Sequence, residues 1–290
     1  FYVDCELDPG DVPRTLDAAL GEITLLRERA VDSWELNRVR NAVEHDYLRE
    51  RETVEGQAHE LALYDHLGDW RGAEKYLERL YAADAASVLE AAQRELAPEK
   101  LTVALVVPLG RAAEFEKLEP RADKSSPPAP RTPPKELPHV ALRTAPVTVE
   151  ELRLSGGVRL VLRRNPGRAL LSVAAFTAGG LLEEPPELEG ATNLALEMAL
   201  RGTRERDARD FHDLVEYYGA ELEPVVRRDY CGLALSCASR HSDYALALFA
   251  ETLLRPAFPE EELEPKRKDI LALIAARTDN APAYALGLAN

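Results

Sequence analysis

Long apolar runs are missing from this chain. No stretch of eighteen or more apolar residues occurs, so no transmembrane helix is expected. Cysteine is scarce: three residues, at positions 5, 231 and 237, cannot frame a fold of 290 residues by disulfides. Excess positive charge is missing too. The net charge of −15 argues against nucleic acid as a partner and disfavours an anionic membrane surface, because both need clustered Lys and Arg. No signal-peptide pattern opens the chain, and no initiating methionine does either. "FYVDCELDPGD" alternates like a strand already under way, and "AYALGLAN" follows directly on a helical pattern. Both ends are therefore expected to be cut, so a missing targeting segment says little. The expectation is a soluble protein, cytoplasmic or periplasmic, with the compartment left open.

What is present suits a globular protein. The chain is 46% hydrophobic and 30% charged, and its length accommodates two domains. Composition changes abruptly between Gly110 and Val147, where "EPRADKSSPPAPRTPPKELPHVALRTAP" is dense in proline and has no hydrophobic period. Residues 111–146 are therefore expected to form an extended linker between a body at 1–110 and a body at 147–290. A proline-motif docking site is the lesser alternative.

The first body reads as a strand, several helices and a closing strand. Asp11 is a candidate N-cap with Pro13 in the first turn, and Asp32 with Glu35 makes a capping-box pattern. "KLTVALVVP" is a β-branched run of strand length. In the second body, "EELRLS-GG-VRLVLRRN" is a hairpin signal, and "ALLSVAAFTAGG" is a more buried strand. Helical pattern covers 189–201 and 207–218, strand pattern covers "AELEPVVRRDYCGLALSCAS", and helices close the chain at 241–255 and 259–278. Strands first with helices packed on them define an α+β class.

Two polar residues stand out in "GATNLALEMALRGT". Asn193 and Glu197 are four apart and share a helix face, with Leu196 beside them. This is the spacing by which two histidines of an HxxEH helix hold zinc while the glutamate activates water, but neither histidine is present. Glu197 can instead pair with Arg201 at i+4. "HELALYDH" lacks a second histidine at the required spacing, so His59 and His66 read as helix surface. Cys231, Leu233, Leu235 and Cys237 share one apolar strand face, which makes a zinc cluster with His241 the weaker reading. "TAGG" and "SGGV" are turns, since no Gly-Lys-Ser/Thr pattern follows.

The order of these segments adds context. "AGGLLEEPPELEG", "GT" after the helix, "YYGAEL", "RDY" and "LLRPAFPEEELE" fall in the order and spacing of the first subdomain of the M16 (pitrilysin/insulinase, mitochondrial processing peptidase) family, which the second body closely resembles. "VDSWELNRVRNAVEHDYLRERETVEGQAHELALYDHLGDW" resembles the helical core of an M16 second subdomain, with "KLTVALVVP" its closing strand.

The resemblance implies two metallohydrolase-like subdomains, each a mixed, mainly antiparallel sheet with helices packed on it. It implies the end of one half, the tether and the start of the next, in a clamshell around a peptide chamber. Its inverted zinc motif falls on Asn193 to Glu197, placing the first ligand at Asn193, the general base at Leu196 and the second ligand at Glu197. The third ligand falls on Leu273. Leucine has no lone pair and asparagine is a poor zinc ligand, so this half is expected to bind no metal and to catalyse nothing. Asn193 and Glu197 are then expected to face the chamber. Zinc is expected in an upstream half if the whole protein is active. The implied partners are a peptide or unfolded polypeptide and the complementary half or subunit. The alternative is an inactive M16-like scaffold or assembly subunit.

Overall fold

The computed structural model describes residues 1–108, 110–115, 118, 122, 131–134 and 146–279. The linker expected over 111–146 lies mostly outside the described residues. By contact the chain divides into two units, residues 1–37 with 71–134, and residues 38–70 with 135–290.

The first unit is helical. It contains α1 (Val12–Glu28), the opening turn of α2 (Ser33–Glu50), α4 (Tyr76–Ala82) and α5 (Ala85–Glu95). Local chemistry sets several of these boundaries. Asp32 accepts a bond from the Glu35 amide at 2.8 Å, as the sequence suggests. Asp84 and Ser87 cap α5 reciprocally. Asp11 precedes α1, but its side chain makes no capping bond, and the proline in the first turn fixes the entry instead. The Gln93 amide on α5 donates to the Arg27 carbonyl at 3.0 Å, joining the ends of α1 and α5.

The strands expected at 1–11 and 101–108 do not form. Both segments lack strand pairing, and Val103, Leu105 and Val106 are exposed. A β-branched run becomes a strand only when an edge is there to pair with, and no described residue of 1–110 supplies one.

In the second unit the remainder of α2 and α3 (Val54–His66) join the sheet-bearing part of the chain. Strands β1 (Thr148–Arg153) and β2 (Arg159–Arg164) form the expected hairpin, paired antiparallel from Thr148↔Arg164 to Arg153↔Arg159. Then come β3 (Leu170–Ala178), α6 (Ala191–Ala199), α7 (Ala208–Tyr217), β4 (Glu221–Val226), β5 (Tyr230–Ala238), α8 (Ser242–Leu254) and α9 (Glu260–Asp279). The antiparallel order β3-β5-β4 leaves β3 and β4 as edges among the described residues. Each helix and strand expected here forms within a residue or two of its predicted span.

Alternation on β5 builds the core. Leu233, Leu235 and Cys237 turn inward against Ala245 and Phe249 of α8, with Leu196 of α6 and its C-cap residue Leu200 packed on the cluster. Burying an aliphatic side chain of this size stabilises by about 1.5–3 kcal/mol.

Residues 38–50 of α2 dock on this layer through polar contacts. Arg240 donates to the Glu44 carboxylate from two nitrogens, at 2.8 and 2.7 Å, and to the Asn41 side-chain oxygen at 2.6 Å. Asn41 in turn donates to the Tyr217 carbonyl at 2.5 Å. His45 Nε2 shares a 2.8 Å hydrogen bond with Ser236 Oγ. Gly219 makes the close approach possible: its φ is +55°, and a Cβ there would overlap the Asn41 carbonyl.

Candidate functional site

The segment carrying the candidate residues is fixed at both ends of α6. Gly180, at φ +88°, lies so close to the Arg227 carbonyl that a Cβ would collide with it. Leu181 and Leu182 donate backbone bonds to the Arg227 and Arg228 carbonyls, at 3.1 and 2.9 Å, pinning the approach loop to the β4–β5 turn. The Glu184 carboxylate then accepts from the amides of Gly190 and Thr192, at 2.8 and 2.7 Å. These bonds at the start of α6, the Gly190 amide first, hold the Glu184 carboxyl below its ordinary pKa. Beyond the helix, Thr203 bridges to Pro256, and the Arg204 amide donates to the Arg255 carbonyl at 3.0 Å. The "GT" and "LLRPAF" segments thus hold each other, and with them the spacing of α6 and α9.

On this frame the four sequence-picked positions separate. Asn193 is exposed on α6, and Leu196 is half-buried against the β5–α8 core. Glu197 does not pair with Arg201. Its Oε2 lies 2.8 Å from Nζ of Lys266 on α9, while Arg201 reaches Glu262 of α9 at 4.0 Å. The reason is proximity of α9: a partner on a packed helix competes with one along the same helix surface, where an i,i+4 pair contributes only ~0.3–0.5 kcal/mol. Leu273 is 66% exposed and lies seven residues beyond Lys266, about 10 Å along the helix axis.

The structure thus turns Leu196 to the β5–α8 core and Glu197 to α9, and leaves Asn193 and Leu273 outward. No group of three or more His, Cys, Asp or Glu among the described residues is placed to hold a metal ion. Zinc fits this donor set poorly on chemical grounds as well. The one carboxylate carries a cation already, the base position is hydrocarbon, and a second cation beside Lys266 would be repelled.

The other candidates fall where a structural role places them. His59 and His66 are exposed on α3. Cys237 is fully buried, and burial pushes its thiol up to about 12, which disfavours the thiolate that a metal would need. Two groups escaped sequence reasoning. Lys266 sits in "EEELEPKRK", where every neighbour is also charged or helix-breaking and no single residue stands out. Arg240, Glu44 and Asn41 are nearly 200 residues apart in sequence, so no local pattern marks them.

Antiparallel strands bearing an inner apolar face, backed by α6, α7 and α8 with α9 packed on α6, define an α+β unit. A family model for insulinase, peptidase family M16, matches residues 159–286. That segment is similar to the M16 family.

Relatives carry the same stamp. The uncharacterized zinc protease YmxG of Bacillus subtilis is 24% identical over 134 residues, covering 46% of this chain and 32% of its own length. The uncharacterized zinc protease SCO5738 of Streptomyces coelicolor is 26% identical over 133 residues, covering 46% of this chain and 29% of its own. A solved structure, a protease from Helicobacter pylori, aligns with 22% identity and a TM-score of 0.42 over 46% of this chain and 32% of that one. The chain thus spans about a third of the length of the curated relatives it matches. Among the described residues no helix is long and apolar enough to cross a membrane.

Proposed function

We propose that the M16 segment opens a half that has lost its zinc site and that it works by holding peptide, with hydrolysis supplied elsewhere. The observation that carries this reading is the state of the four positions matching the family's site. Asn193 is outward, Leu196 lies in the core packing, Glu197 is paired to Lys266, and Leu273 is outward and apolar.

On this reading residues 147–290 are the first subdomain of the zinc-less half and form chamber wall. Residues 1–110 are the second subdomain of a preceding half, and 111–146 is the tether. Zinc belongs to an upstream half if the whole protein is active. The bound partner is an extended peptide or unfolded polypeptide, added as a strand along an edge such as β3, where backbone groups are available for pairing.

The test is two measurements on the same purified chain. After zinc exposure and desalting, elemental analysis is expected to find essentially no zinc, and a fluorescently labelled extended peptide is expected to gain anisotropy on titration. Stoichiometric zinc would overturn the zinc-less reading. A zinc-free chain that binds no peptide would leave the scaffold alternative in possession.

A further inference from the structure

We infer that Lys266 takes over, through its ion pair with Glu197, the tie between α6 and α9 that a shared metal would otherwise make. This rests on the zinc-less reading above and adds a positioning residue to it.

The geometry is a two-rung ladder. Glu197 is on α6 and Arg201 lies just past its C-cap, four positions on, while Glu262 and Lys266 are one turn apart on α9. Glu197 meets Lys266 at 2.8 Å, and Arg201 meets Glu262 at 4.0 Å. Rising numbers along α6 and the residues just beyond it meet falling numbers on α9, so the two segments run antiparallel at this contact. The sign of the charge reverses from one rung to the next, so each charge has an opposite neighbour both across the helices and along its own. The short rung is the sheltered one, with Lys266 15% and Glu197 27% exposed. An attraction there is screened less than at a fully solvated pair.

Position 197 is where the family's second ligand would stand, and 266 is on the helix that would supply the third. The same two helices are therefore cross-linked, but by a fixed ammonium and not by a dication. Lys266 has three donors and no acceptor, and it occupies the side of Glu197 that faces α9. The tie needs no metal, and it opposes one.

The experiment is a double-mutant cycle in the full chain: Glu197→Gln, Lys266→Met and both together, each melted with and without zinc. Each single change is expected to lower Tm by about 2–4 °C. The double is expected to melt no lower than the worse single, because the second change removes nothing further. Raising salt is expected to lower the wild type toward the singles while leaving the double unmoved. Lys266→Arg is expected to keep most of the wild-type Tm. Additive losses in the double, or equal Tm values for Lys266→Arg and Lys266→Met, would overturn the tie. If zinc raises the wild-type Tm, the zinc-less reading fails first and the tie with it. If zinc does nothing and the losses add, only the tie fails.

Discussion

Two charged constellations in the same unit treat water in opposite ways. At Arg240, Glu44 and Asn41 the side chains are buried, with Arg240 and Glu44 only 3% and 5% exposed, and the guanidinium spreads its donors over both partners. At Glu197 and Lys266 the pair is sheltered but still reaches solvent. Removing charges from water is expensive and is repaid only by full hydrogen bonding, which the first constellation has. The contrast teaches where this unit is committed: its buried polar specificity lies in the docking of α2, while the face of α6 that carries Leu196 and Glu197 is occupied by apolar packing and a partly exposed ion pair.

The sharpest way to break the comparison is Arg240→Ala. It would strand the Glu44 carboxylate in a buried site, and the expected loss is about 3–5 kcal/mol in urea unfolding. Arg240→Met combined with Glu44→Met removes both charges and is expected to cost far less than the single change. Equal losses for the single and the double would mean that the network's worth is packing.

Next in size is Leu196→Glu, which puts a carboxylate at the position where the resemblance would set the family's base. Because Leu196 packs on the β5–α8 core cluster, the change loses apolar contact and brings a charge to the core's edge. A loss of about 2–4 kcal/mol is expected. A neutral outcome in the same denaturation measurement would show that the position is still open to a functional carboxylate, and the contrast between the two constellations would narrow.

Gly219→Ala probes the docking without touching a charge. The alanine would have to adopt φ +55° and would press its Cβ into the Asn41 carbonyl. The expected cost is about 1–3 kcal/mol, with faster hydrogen exchange confined to residues 38–50. Exchange rising equally along α6 and α9 would mean that the two regions are coupled and not separable.

These contrasts also mark what the sequence made legible. The hairpin, α6 to α9 and the inward face of β5 were readable because each is carried by a local period: two for Leu233, Leu235 and Cys237, and near four for Asn193 and Glu197. The family resemblance rested on glycine turns and capping segments that occur in a fixed order. What was not readable depends on partners distant in sequence. "KLTVALVVP" has the composition of a strand, but composition does not supply the edge that it needs. Glu197 has Arg201 at ideal spacing, yet Lys266 lies 69 positions further along the chain and takes it. Residues 38–70 fall in the second unit, where Asn41, Glu44 and His45 bond to Tyr217, Arg240 and Ser236, and none of the three looks unusual on its own helix.

The smallest predicted effect reads the docked face through pH. His45 is pressed against the sheet, with Nε2 at Ser236 Oγ, and its pKa is lowered from 6.5 chiefly by burial. Asp46, Glu221 and Glu44 pull it back upward, and Arg49 adds to the lowering. A lowered folded-state pKa means that the unfolded chain takes the proton first. Stability from this group is therefore complete above the unfolded value of 6.5. It falls as pH drops from there toward the depressed folded value, and it levels off below that.

His212 contributes with the same sign, through burial first and the charge of Arg201 second, so the two must be separated. Urea midpoints of the wild type are expected to decline as pH is lowered below 6.5, and His45→Gln is expected to flatten part of that slope while His212→Gln flattens the rest. If His45→Gln leaves the slope intact, the imidazole accepts its proton in place. The docking of α2 would then be as tolerant of charge as the α6–α9 ladder is.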